Sequence, residues 1–125
     1  MGRAITTVLV AALGILAMPP RGAEMRGASR DVRIVVRNMT FYLEGSAAAN
    51  PTLRLRVGET VRLVLRNEDR GMKHDFTVPA WNAATPLIPA QREAEVLITA
   101  PARGTRATYH CTPHEETMRG TIIVE

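Results

Sequence analysis

The feature that most constrains this chain is a two-residue rhythm that begins at Asp31. Val32, Ile34 and Val36 alternate with Arg33, Val35 and Arg37; Leu53, Leu55 and Val57 alternate with Arg54 and Arg56; Val61, Leu63 and Leu65 alternate with Arg62, Val64 and Arg66. Successive side chains of an extended strand point to opposite faces, so each run has one oily face and one mostly wet face. Val57-Gly58-Glu59-Thr60 reads as a tight hairpin turn between the second and third runs, and residues 67–71 (Asn-Glu-Asp-Arg-Gly) close the third. Further strands are predicted at 73–78, around 94–99, at 105–111 and at 121–124. No long helical pattern appears. Oily strand faces must be buried against one another, which predicts an all-β fold, an antiparallel Greek-key β-sandwich of seven to eight strands. Residues 79–91, with prolines at 79, 86 and 89 and the single tryptophan Trp81, break the rhythm and read as an irregular crossover loop.

A chain of 125 residues supports one hydrophobic core, not two. Its first residues, Met1-Gly2-Arg3, precede an apolar run from Ala4 to Met18 and then Pro19-Pro20-Arg21. A basic start followed by a short apolar stretch is the pattern of an export signal. Residues 1–23 are therefore read as an export signal peptide or, if retained, an N-terminal anchor, and residues 24–125 as the folded domain. The run is short of the roughly 20 apolar residues that a spanning helix needs.

The formal net charge is +4 and falls to +2 if the folded chain starts near Glu24, without Arg3 and Arg21, a weak field. Arg30, Arg33, Arg37, Arg54, Arg56, Arg62 and Arg66 are spread over several segments and interleaved with apolar positions. That spread suits the wet faces of strands and argues against a nucleic-acid surface. One cysteine, Cys111, rules out an internal disulfide; in an exported protein a lone thiol is reactive, paired between molecules or bound to a metal.

The neighbourhood of Cys111 supplies a reason for it. Cys111 is followed after two residues by His114 and after three more by Met118. Two imidazoles, a thiolate and a weak axial thioether form the ligand set of an electron-transfer copper site. The missing imidazole is supplied by His74, because the alternation of His74, Phe76 and Val78 places it with the core-facing residues while Lys73, Asp75 and Thr77 point outward. The same period sends Tyr109 and Cys111 inward and His110 outward, so His110 is left out of the site. Tyr109 and Phe76 are read as core residues.

Two blocks carry a family resemblance. One runs from Val57-Gly58-Glu59-Thr60-Val61 through Asn67 to His74-Asp75-Phe76; the other is Tyr109-x-Cys111-Thr112-Pro113-His114 with Met118 and Gly120 before a final strand. From about Asp31 to the end the chain resembles the cupredoxins, the family of plastocyanin, pseudoazurin and amicyanin. That resemblance implies one type 1 copper ion held by His74, Cys111 and His114 in a trigonal plane with Met118 axial, and one-electron transfer between Cu(I) and Cu(II). It also implies that a redox partner docks near His114. The export pattern and the high ratio of arginine to lysine make a periplasmic setting the expectation, and the protein is expected to be a monomer. Three residues separate His114 from Met118, against two in amicyanin-like loops and four in plastocyanin-like ones, and Asp75 stands where plastocyanin-like members have asparagine. A residue at that position can brace the two ligand loops. Glu115 and Glu116 beside His114 favour a basic partner surface.

Two other functions fit the same ligands less well. A copper delivery or storage protein would favour clustered surface methionines, whereas Met39, Met72 and Met118 are scattered. A copper enzyme would need further imidazoles, and only His110 remains once His74 and His114 are used.

Overall fold

The computed structural model describes residue 2 and residues 27–125. Apart from Gly2, the predicted export segment lies outside the described residues. Among them, no helix is long and apolar enough to cross a membrane.

The alternating runs become strands and pack their oily faces together. The strands are β1 (Asp31–Arg37), β2 (Thr40–Leu43), β3 (Leu53–Leu55), β4 (Thr60–Asn67), β5 (Thr77–Val78), β6 (Ala83–Ala84), β7 (Arg92–Thr99), β8 (Thr105–His110) and β9 (Arg119–Val124). They form a four-stranded sheet in the order β2-β1-β4-β7 and a five-stranded sheet in the order β3-β9-β8-β5-β6. Single turns of 3-10 helix follow β5 at Pro79–Trp81 and β8 at Thr112–His114. Between the sheets lie Val32, Ile34, Val36, Leu63, Leu65, Ile98, Ile122 and Val124, all buried.

Five expectations are corrected. The sheets are mixed rather than purely antiparallel, since β1 pairs with β4 and β3 with β9 in parallel. The Val57–Thr60 segment is no hairpin: β3 and β4 belong to different sheets, so the turn, with Gly58 at φ 69°, carries the chain across the sandwich. Among the described residues nine strands stand where seven to eight are expected, because the alternation marks neither β2 nor the two-residue β6. Residues 73–78 are not one strand: His74 makes an isolated bridge with Ile88, and regular pairing starts at Thr77. Asp75, expected to face water, is 6% exposed. Val35 and Val64 are buried as well, so β1 and β4 are covered on both faces there.

The β1–β2 connection bears on the site. Arg37 pairs with Thr40, leaving Asn38 and Met39 as a two-residue turn, both with positive φ (48° and 57°). Such turns match the twist of the flanking strands. Asparagine tolerates that conformation and methionine does so less readily.

Beneath the site-bearing end three rings from different elements meet. Phe76 stacks on Tyr109 at 4.8 Å between centroids, and Phe41 meets both edge-on at 5.6 and 5.5 Å. The Tyr109 hydroxyl donates to the Pro51 carbonyl at 2.6 Å, which satisfies its polar tip inside the core. Gly120 lies opposite Tyr109 on β9, and a Cβ there would overlap the phenol ring. Both rings fall where alternation placed them.

Candidate metal centre

Two connections meet at one end of the sandwich. The first runs from the end of β4 to β5 and contains His74. Its shape is organised by Asn67, whose buried amide donates to the carbonyls of Met72 (2.8 Å) and Ile88 (2.9 Å) and accepts the Asp69 N–H (2.8 Å). Paired backbone hydrogen bonds between His74 and Ile88 (3.1 and 2.9 Å) hold the histidine's own peptide. His74 is thereby fully buried on a segment that is not a regular strand.

The second connection joins β8 to β9 and contains Cys111, His114 and Met118. It is folded on itself: the His114 N–H donates to the Cys111 carbonyl (3.1 Å), the Met118 N–H to the His114 carbonyl (2.9 Å) and the Cys111 N–H to the Met118 carbonyl (3.0 Å). Pro113, early in the 3-10 turn, fixes φ and removes a donor that would have had no partner in the turn. Met118 is fully buried at the end of this loop, in the same cluster as Cys111, Phe76 and Tyr109.

The loops bring three donors together. The metal-capable atoms of His74, Cys111 and His114 all lie within 4.8 Å of one another. Each histidine turns Nδ1 toward the Cys111 sulfur, both at 3.6 Å, and the ring centroids are 5.1 Å apart. His110 faces away from Cys111, with Nε2 at 3.8 Å from Glu115, as the alternation required.

Burial governs the protonation of Cys111 and His74. It pushes the Cys111 thiol up to about 11, only partly opposed by the backbone amides of Asp75 and His114, while the Asp75 carboxylate adds to the rise. Burial also lowers the His74 pKa, with Asp69 pulling the other way. Neutral imidazoles and a thiol that must give up its proton are the states that couple metal binding to proton release.

Two aspartates flank the cluster. Asp75 clips the second loop to the first, accepting from the Thr112 N–H (2.6 Å), the Thr112 hydroxyl (2.7 Å) and the Thr77 hydroxyl (3.3 Å). This is the bracing role that the resemblance implied for position 75. Asp69, which sequence reasoning treated only as part of a turn, lies 3.0 Å from His74 Nε2. Its burial would raise its pKa, but the amides of Met39 and Asn38 together with His74 outweigh that and hold it below the ordinary carboxylate range.

The donor set fits one copper ion: two imidazoles and a thiolate converge from a rigid frame, with a thioether buried in the same loop. No protein-family description and no curated protein matches the chain. Solved structures do. A variant of amicyanin in its reduced Cu(I) form is 26% identical, over 76% of this chain and 82% of that one, with a TM-score of 0.51. Auracyanin B is 19% identical over 78% and 90% of the two chains, TM-score 0.63. Auracyanin A, a "blue" copper protein from Chloroflexus aurantiacus, is 21% identical over 76% and 98%, TM-score 0.58. The auracyanins match in fold, and amicyanin adds a quarter of the sequence. By its sandwich and its donor cluster, this chain has the cupredoxin fold and resembles the cupredoxins in its site.

Proposed function

We propose that the chain is a type 1 copper protein that carries single electrons between partner proteins in an exported, periplasmic setting. His74, Cys111 and His114 would hold the ion and Met118 would be its weak axial ligand; the copper, when bound, supplies a Cu(I)/Cu(II) couple. The observation that carries the reading is the convergence of three donors within 4.8 Å on loops fixed by their own hydrogen bonds. A frame that holds its ligands before the metal arrives changes little when the oxidation state changes, which suits fast electron exchange. Burial of His74 and Cys111 also supports a carrier over a delivery protein, because the recipient of a delivered ion must reach its ligands. His114 is less buried, and since no buried side-chain nitrogen among the described residues lacks a partner, its Nε2, which is unpaired among them, is open to solvent there. The partner would dock at that edge, beside exposed Glu115 and Glu116, and the carrier would act as a monomer without enzymatic activity.

The test is to add Cu(II) to residues 24–125 and compare visible absorption and electron paramagnetic resonance with those of Cys111→Ser. An intense thiolate-to-copper band that serine abolishes supports the carrier. A colourless protein that binds only Cu(I) overturns it in favour of delivery.

A further inference from the structure

The two candidate imidazoles are held differently, and the difference centres on Asp69. Its carboxylate is gripped by the β1–β2 turn, where the Asn38 N–H donates to Oδ1 (2.6 Å) and the Met39 N–H to Oδ2 (2.8 Å). Two successive residues of left-handed conformation point adjacent amides at one anion, the concave arrangement that favours bound negative charge. The Asp69 backbone is in turn tied to Asn67. The carboxylate is thus fixed from two sides, and its Oδ2 still faces His74 Nε2 at 3.0 Å.

A neutral imidazole has one N–H and one lone pair, and the partner of one nitrogen decides the role of the other. Facing a carboxylate, Nε2 carries the proton. Nδ1, which faces the Cys111 sulfur at 3.6 Å, is then left with its lone pair aimed into the cluster. His114 has no such partner: its Nδ1 also faces the sulfur, but its Nε2 has no hydrogen bond among the described residues.

We propose that Asp69 is the positioning residue of the metal centre, fixing His74 as the Nε2–H tautomer and locking its ring to the β1–β2 turn so that Nδ1 is ready to bind before the metal arrives. This rests on the copper reading above. It explains why the β1–β2 turn uses a residue as poorly suited as Met39 to positive φ: the turn presents two amides to Asp69. It also identifies three positions outside the donor set, Asn38, Met39 and Asp69, that shape the centre. Partners of metal-binding histidines of this kind typically alter metal affinity 10- to 100-fold when removed.

The test has two parts. Nitrogen-15 NMR of the metal-free wild type reads the His74 tautomer directly; the expected result is Nε2–H with a slowly exchanging proton. Cu(I) affinity, measured by competition with a chromogenic chelator, is compared for wild type, Asp69→Asn and Asp69→Leu. Leucine is expected to mix the tautomers and weaken Cu(I) by 10- to 100-fold. Asparagine can keep a carbonyl oxygen toward Met39 and His74, so it should retain the tautomer and most of the affinity, which separates positioning from general loss of structure. An Nδ1–H tautomer in the wild type overturns the proposal, and so does an Asp69→Leu protein that folds and binds Cu(I) within twofold of wild type. Because the tautomer is read without metal, a wild type that forms no copper–thiolate band would sink the carrier reading while leaving this inference to be judged on its own.

Discussion

His74 and His114 offer the same atom to the same sulfur at the same distance, yet they belong to different kinds of structure. His74 is sealed: no surface is exposed, its peptide is paired with Ile88, and its far nitrogen is held by Asp69. His114 sits in a one-turn helix on a loop that bonds mainly to itself, with Glu115, Glu116 and Thr117 exposed beside it. Rigidity and access are thus divided between the two donors. One imidazole is anchored to the Ile88 segment and, through Asp69, to the β1–β2 turn, and the other keeps an edge open to solvent.

The sharpest way to break this contrast is to remove each ring in turn. His74→Ala empties a buried site and strips Asp69 of its partner, a combination expected to cost about 3 kcal/mol of metal-free stability. His114→Gly removes a ring that already meets solvent and should cost under about 1 kcal/mol. Urea unfolding measures both. Added imidazole should restore the copper–thiolate band in His114→Gly, where the vacated space is open to solvent, and fail to do so in His74→Ala. Equal rescue of the two would show that the sealed and open sites are alike.

Phe76 follows His74 by two residues and Tyr109 precedes Cys111 by two, so a change in the cluster they share should disturb both loops together. Gly120→Ala drives a methyl group into Tyr109 and forces the stacked Phe76 to move. Overpacking of this kind costs about 2 kcal/mol. Thermal unfolding would show the loss, and the two histidine environments should shift together in NMR spectra.

The aromatic cluster and the donors were legible in the sequence because both depend on period and spacing. Alternation alone put His74, Phe76, Tyr109 and Cys111 inward and His110 outward, and the spacing of Cys111, His114 and Met118 marked one loop. What could not be read from it depends on long-range pairing. The Gly58 turn has the same local chemistry whether the chain reverses within a sheet or crosses to the other, and only the partners of β3 and β4 decide which. Asp75 broke the alternation because its segment is held by bridges and side-chain bonds rather than by a ladder. Asp69 was invisible for a similar reason: its function comes from a turn about 30 residues away, and Asn38-Met39 is a weak turn signal.

A milder change separates the loops again. Asp75 follows His74 in sequence but holds the loop of His114, through Thr112. Asp75→Ala should therefore cost about 1–2 kcal/mol and increase amide exchange at Thr112 to His114 while leaving the amide of His74 protected. If the His74 loop opened equally, the division between the two donors would be less complete than their geometry indicates.

Proton linkage divides the molecule on a larger scale. At the site-bearing end the Cys111 thiol, pushed up to about 11 by burial, is protonated at neutral pH, and copper must displace that proton. Apparent copper affinity should rise about tenfold per pH unit from pH 7 toward 10, measured with a chelator of known pH dependence.

At the far end, where β1 begins, Glu59 accepts from Arg30 (2.9 Å), from the Arg56 N–H (2.9 Å) and from Ser29 (2.8 Å), and these bonds lower its pKa to about 2. A carboxyl whose folded pKa lies below its unfolded value binds its proton more readily when unfolded. Its contribution is therefore present above about pH 4.5 and lost as the pH falls from there toward 2. The ion pair is partly solvated, so the effect is the smallest of the set. Glu59→Gln should flatten the acid limb of metal-free stability and leave the pH dependence of copper binding unchanged. A shift in copper binding would show that the two ends are coupled through β1, whose other end forms the turn that grips Asp69.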